Sequence, residues 1–346
     1  MTLVSSVSEG QLLATFLPTI QEHNAKAQRL TPGARSLVLG PGDDSAVLDL
    51  SGGLTVMSTD TQTQNQDFRL SWPSGRTSGG YEVGWKAATQ NLADIAAMGA
   101  RPVTLLVSLT LPPSTPLAWV KDFARGLVDS CTAQGAETCS ISGGDVGSGT
   151  EISVTVTALG LVQKPVTRSG AQAGDAIVLA GALGTAAAGL ALLENSELPE
   201  TLSPQIEACI EAQQRPVSPL AAGIQGAENL TSLMDVSDGL VRDGGRLAQA
   251  SACAFDIDTA SLAPWLLELR ESALLLAGAE GQKASDLALG WVLTGGENHA
   301  LLGTSPPEQI PAGFTRIGTV SPGTGVTVDV HPYTAKGWDH FEAGSR

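Results

Sequence analysis

The chain has 346 residues, 42% hydrophobic and 16% charged, which excludes a disordered protein and is more than one core usually serves. Asp and Glu outnumber Lys and Arg by 35 to 19, giving a net charge of −16. With no basic run, a duplex-binding or anionic-membrane protein is excluded, whereas phosphates remain accessible wherever metal ions supply the positive charge.

Taken in order, residues 8–24 predict a helix capped by Ser8, with Leu12, Leu13, Phe16 and Leu17 on its apolar side. SLVLGPGDDSAVLDL reads as two β-like runs around a Gly/Asp turn, and LTVMSTD (54–60) alternates as a strand that ends on an acid. Residues 61–80 are polar and rich in Gly and Ser, which predicts a mobile loop and a candidate lid. The next segment, to residue 100, is a helix with Trp85, Ala88, Leu92, Ile95 and Gly99 on one face. Lys86, Gln90, Asn91 and Asp94 share another face, which is odd for so apolar a stretch.

A strand at 103–111, an amphipathic helix at 116–134 and an alternating strand at 151–160 complete a first domain, 1–163. The turn-forming KPVTRSGAQAGD opens a second, 164–346. There AIVLA leads into GALGTAAAGLALLE, helices run to about residue 229, and TSLMDVSDGLVRDGGRLAQAS reads strand, acidic turn, helix. A glycine pair follows in WVLTGGENHALLGT, and two short strands close the fold at 314–330. Cys131, Cys139, Cys209 and Cys253 have no zinc-type spacing and suit a reducing cytoplasm. The opening MTLVSSVSEGQLLATFL has no basic leader before an apolar core, so no signal peptide is expected.

The chemical signal is a set of aspartates placed where strands are expected to stop: Asp43 and Asp44, Asp60, Asp145, Asp235 and Asp238, with Asp94 on a helix. Magnesium takes one or two carboxylates per ion and completes its shell with water and phosphate oxygens. Each acid alone is equally at home as a turn or cap residue; as a converging set they would repel one another without cations. GALGTAAAG either brings backbone N–H groups to a phosphate or packs a helix tightly on a strand. GxxxxGK[ST] is absent, as are the HRD and DFG strings of protein kinases. His23, His299, His331 and His340 sit in no ligand spacing, and Trp338 is an anchor or an aromatic plate for a heterocycle.

Together and in order, GDDSAVLD, STDTQTQNQDF, GWKAATQNLADIAAMGARP, SGGDVGSG, TRSGAQAGD, MDVSDGLVRDGG, GGENHALL and GWDHF resemble the thiamine-monophosphate kinase family, from about residue 40 to the end. The resemblance implies an α/β (α+β) fold of two domains like that of aminoimidazole-ribonucleotide synthetase. A sheet-plus-helices N-terminal domain would dimerise through its strands, and a C-terminal α/β sandwich would complete the ATP and substrate site. It implies Mg²⁺ ions held by Asp44, Ser58, Thr59, Asp60, Asp94, Asp145, Asp235 and Asp238. ATP contacts would be Gly144, Asp145, Arg168 and Ser237; thiamine phosphate contacts would be Glu297 and Trp338. The family commonly has a substrate-contacting His where this chain has Asp67, and GGEDYEL where it has GGENHAL; both departures lie on the substrate side. The rival expectations are another enzyme of the superfamily, of the selenophosphate synthetase or hydrogenase-maturation type, or a non-catalytic divalent-metal-binding protein.

Overall fold

A computed structural model of the chain describes residues 2–30, 37–39, 47–278 and 280–333; Asp43, Asp44, Trp338 and His340 lie outside the described residues. It separates into two compact units. The first comprises Met1–Trp72, Arg76–Ala96 and Ala100–Lys164, the second Pro73–Gly75, Ala97–Gly99 and Pro165–Arg346.

The first unit opens with α1 (Glu9–Leu30). Ser8 Oγ accepts from Gln11 N at 3.3 Å while Gln11 Oε1 accepts from Ser8 N at 2.9 Å, a reciprocal cap. The helix runs beyond the predicted residue 24 because its polar far half is also pinned inward. His23 Nε2 lies 2.6 Å from Cys139 O, and Asn24 exchanges hydrogen bonds of 2.9 and 2.8 Å with Ile141 O and N. Then come β1 (Leu37–Leu39), β2 (Val47–Leu48), β3 (Leu54–Thr63), α2 (Gly80–Ala96), β4 (Arg101–Leu111), α3 (Leu117–Ala133), β5 (Ser140–Ser148) and β6 (Ser153–Val162).

β1 and β2 pair with each other, and the remaining strands form a four-stranded sheet in the order β3-β6-β4-β5, antiparallel except for β4 and β5. Along β6, Val154, Val156 and Ala158 are buried while Thr155 and Thr157 between them are half-exposed, so one face is core and the other open. α2 lies on the core face and α3 packs on α2. The two helices touch backbone to backbone: a Cβ on Gly84 would stand 2.1 Å from Phe123 O, and one on Gly126 2.0 Å from Tyr81 O.

The segment predicted as a loop, 61–80, is one over residues 64–79, but it is anchored to the core. β3 continues to Thr63, Phe68 and Trp72 are buried, and Trp72 Nε1 donates to Ser78 Oγ at 2.9 Å. The Arg69 guanidinium sits 5.6 Å from the Trp72 ring centroid. Its Gly and Ser content hid two aromatic anchors.

The second unit runs β7 (Ala176–Ala180), α4 (Thr185–Leu193), α5 (Pro204–Gln214), α6 (Leu220–Gly226), β8 (Ser232–Val236), α7 (Leu240–Ala250), β9 (Ala254–Ile257), α8 (Ala263–Leu276), α9 (Gly281–Thr294), β10 (Ala300–Ser305), β11 (Thr315–Ser321), β12 (Gly325–Val328) and β13 (His331–Pro332). Its seven-stranded sheet has the order β13-β12-β9-β11-β7-β10-β8. β7, β10 and β8 are buried throughout, which is why AIVLA and SLM read as continuous apolar runs. Gly184, which caps α4 with φ +75°, would place a Cβ 2.8 Å from Leu269 Cδ1; here the glycine-led helix start serves tight packing.

Among the described residues no helix is long and apolar enough to cross a membrane. Cys131, Cys139, Cys209 and Cys253 are all buried free thiols.

Candidate functional site

In the first unit, the polar face of α2 explains itself against β3. Ser58 and Asp60 share the sheet's core face with Gln62, two residues apart each time, and all point toward α2. Ser58 Oγ donates to Asp94 Oδ2 at 2.5 Å, and Gln62 Nε2 donates to Gln90 Oε1 at 2.9 Å. Lys86, only 3% exposed, donates from Nζ to Asp67 O at 3.1 Å. Thr59 lies on the opposite face, where its Oγ1 donates to Val156 O at 3.1 Å and meets Thr157 Oγ1 at 3.0 Å. Its side chain therefore does not join Ser58, Asp60 and Asp94. Asp67 Oδ2 accepts from Thr63 N at 2.7 Å and closes the turn after β3.

The acids do not all mark strand ends. Asp60 is inside β3 and Asp145 inside β5, because pairing with β6 and β4 carries both strands onward through Thr63 and Ser148. The polar outer face made MSTD and SGGD look like termini. Gly144 stands opposite Val107 on β4; a Cβ there would come 1.7 Å from Val107 O, so only glycine allows this approach beside the exposed Asp145.

In the second unit, the end of β8 and the start of α7 form a charged knot. Asp235, 6% exposed, lies on β8, with Oδ2 3.4 Å from Nδ1 of the buried His299. Beyond the strand, Ser237 N and Asp238 N donate to Asp243 Oδ2 at 3.0 and 2.9 Å. Arg246 bridges the two acids, with Nη1 2.6 Å from Asp243 Oδ1 and Nη2 2.7 Å from Asp238 Oδ2. Arg242 Nε lies 3.8 Å from Asp238 Oδ2. Burial pushes the Asp243 carboxyl up to about 6, outweighing the hydrogen bond from Asp238 N.

The GGENHAL segment is latched to the same strand end. Glu297 N donates to Ser237 O at 2.9 Å, and His299 N to Val236 O at 3.1 Å. Glu297 and His299 both hold left-handed backbone, with φ of +64° and +51°. Gln213 Nε2 donates to Glu297 Oε2 at 2.6 Å, and Asn298 Nδ2 to Thr185 Oγ1 at 2.7 Å. Arg168 is exposed; its carbonyl accepts from Ser251 Oγ at 2.9 Å, which ties the TRSGA segment to the end of α7. Sequence reading missed Asp243, Arg246 and Gln213, and read His299 as a lone histidine. The spacings Asp238–Arg242 and Asp243–Arg246 are helical i,i+4 and i,i+3 pairs that signal the first two, but nothing in the sequence links Gln213 to a residue 84 positions on.

The donor set fits magnesium. It consists of carboxylate and hydroxyl oxygens, and among the described residues no group of at least 3 His, Cys, Asp or Glu side chains makes a ready cage. Mg²⁺ needs none, since it takes one or two carboxylates and completes its shell with water and substrate phosphates.

Comparison with known proteins places the chain in a family. Residues 42–162 match the family described as AIR synthase related protein, N-terminal domain. The chain is 37% identical over 350 residues to the thiamine-monophosphate kinase of Mycobacterium tuberculosis, with 95% of each covered. Among solved structures it is similar to thiamine-monophosphate kinase from Stenotrophomonas maltophilia, at 30% identity and a TM-score of 0.76, covering 91% of this chain and 96% of that one. It is also similar to a structure described as AaThiL complexed with AMPPCP and TMP, at 28% identity and a TM-score of 0.72, covering 92% and 94%. With a relative this similar along nearly its whole length, and with the oxygen donors set out on β3, α2 and β8, the chain belongs to the thiamine-monophosphate kinase family.

Proposed function

We propose that the chain catalyses ATP-dependent phosphorylation of thiamine phosphate to thiamine diphosphate, by direct in-line transfer with several Mg²⁺ ions. The observation that carries the reading is the set of oxygen donors Ser58, Asp60 and Asp94 on one face of β3 and α2, in a chain similar over 92% of its length to a protein complexed with AMPPCP and TMP. Both substrates are polyanions, and two unit charges about 4 Å apart repel by about 4 kcal/mol at an effective dielectric near ~20. Bound Mg²⁺ supplies the charge that offsets this repulsion and orients the phosphates. Asp44, Ser58, Asp60, Asp94, Asp145, Asp235 and Asp238 are the residues to hold it, with Thr59 limited to its main chain. Gly144, Ser237 and Arg168 serve the nucleotide, Arg168 through a bidentate guanidinium. Glu297, Asp67 and Trp338 serve the acceptor.

An acceptor phosphate oxygen, already ionised at neutral pH, attacks the γ-phosphorus; the bond to the β–γ bridging oxygen breaks and ADP leaves. Such a reaction needs positioning and charge stabilisation, not a protein nucleophile. In this reading the first unit pairs with a second copy through its open sheet face. That face carries Met57, 70% exposed, and the cross-strand row Thr59, Thr157 and Leu106. Buried unpaired cysteines suit a cytoplasmic location. The test is thermal melting with a non-hydrolysable ATP analogue, with and without Mg²⁺. Stabilisation that needs both, and is lost in Asp94→Ala, supports the reading; stabilisation indifferent to the metal sinks it.

A further inference from the structure

Gln213 is a polar residue that the fold has little structural reason to bury. It lies near the end of α5, only 3% exposed. α4 and α5 approach backbone to backbone there: a Cβ on Gly189 would stand 2.0 Å from Cys209 O and 2.9 Å from Gln213 Cβ. Only glycine at position 189 leaves room for the base of the Gln213 side chain. Its Nε2 donates to Glu297 Oε2 at 2.6 Å, a charge-assisted length, and only the N–H₂ end of an amide suits a carboxylate. Its Oε1 is buried with no hydrogen-bond partner among the described residues. An orphaned buried acceptor is an uncompensated desolvation cost that an apolar side chain of similar size would remove. At the other end of the contact, Glu297 is held in left-handed backbone at φ +64° by its N–H bond to Ser237 O. Both the backbone and one carboxylate oxygen of Glu297 are thus fixed by the protein, at the expense of local strain and an unsatisfied amide.

We propose that Gln213 is a positioning residue for acceptor recognition. It holds the Glu297 carboxylate in the orientation that meets the N–H groups of the acceptor's aminopyrimidine, and so sets acceptor affinity, not the rate of transfer. The inference rests on the reading of Glu297 as a thiamine phosphate contact.

The experiment is steady-state kinetics and thermal melting of the full chain carrying Gln213→Met, with Gln213→Asn as a second variant that keeps the amide but withdraws it by one methylene. The expected result is an acceptor KM raised by about tenfold to a hundredfold, the loss of one hydrogen bond to a charged group. KM for ATP and kcat stay within about twofold, and the Met variant melts no lower than wild type because the orphaned acceptor is gone. In a Glu297→Ala background, either substitution adds nothing further, since the contact it breaks no longer exists. An unchanged acceptor KM in a folded variant overturns the proposal, as does an equal loss with Glu297 already removed. If Glu297→Ala itself leaves acceptor KM unchanged, the reading of Glu297 fails and the proposal falls with it.

Discussion

Asp94 shows why the acids matter as partners and not singly. Its Oδ2 takes the Ser58 hydroxyl at 2.5 Å, and Asp60 stands two residues further along the same face of β3. Like charges gathered without a cation add little stability, so removing one should leave the fold intact. Asp60→Ala and Asp238→Ala are expected to lower kcat by about 10²-fold or more while the chain stays folded, with Asp238→Ala melting somewhat lower because it also removes the ion pair with Arg246. A variant that unfolds with activity lost would point to a structural acid. His23 contributes one share of the pH dependence. Burial pulls its imidazole below the usual 6.5, against the hydrogen bond with Cys139 O, which raises it. The unfolded chain then binds a proton that the folded chain refuses, so stability is complete above that value and is lost as pH falls below it. Asp243, raised to about 6, acts in the opposite sense and gains stability as pH falls, so the His23 share is read as the difference in melting temperature between wild type and His23→Gln, which should shift against wild type from about pH 7.5 to about pH 5.5. At this scale the acids were legible because Asp beside Gly and Ser stands out in an apolar chain. Gln213 was not, because its meaning lies in Glu297, 84 residues away.

Among the elements, α2 and α3 are joined by glycine, not by side-chain ridges alone. A methyl on Gly84 would stand 2.1 Å from Phe123 O, so the helices must separate. Gly84→Ala is expected to destabilise the chain by about 1–3 kcal/mol in urea unfolding, despite its better helix propensity. The element types of β3, α3 and β6 could be read from periodicity because each has one buried face, whereas α2 is buried on nearly every side and β4 has a continuous buried run. Their ends could not. MSTD looked like a strand terminus because the next residues are Thr and Gln, yet the sheet presents Thr61 to its open face and buries Gln62 against α2. α1 likewise extends to Leu30 on buried polar contacts that a hydrophobic pattern does not register.

At the scale of the molecule, the open face of the β3-β6-β4-β5 sheet and the acceptor question remain the two consequential points. Leu106 stands in the cross-strand row with Thr157 and Thr59, so Leu106→Lys should convert the proposed dimer to a monomer in sedimentation. A wild-type monomer would remove the strand-face pairing altogether. The family was legible because its motifs run in order along most of the chain, and the 37% identity to the Mycobacterium tuberculosis kinase agrees. What the motifs left open is the acceptor side, where Asp67 closes a turn and GGENHAL replaces the usual string. The most direct measurement is ADP release with Mg²⁺-ATP, comparing thiamine phosphate, free thiamine and no acceptor. The account expects turnover with thiamine phosphate alone; silence with all three acceptor conditions, in a protein that binds Mg²⁺-ATP, would contradict it.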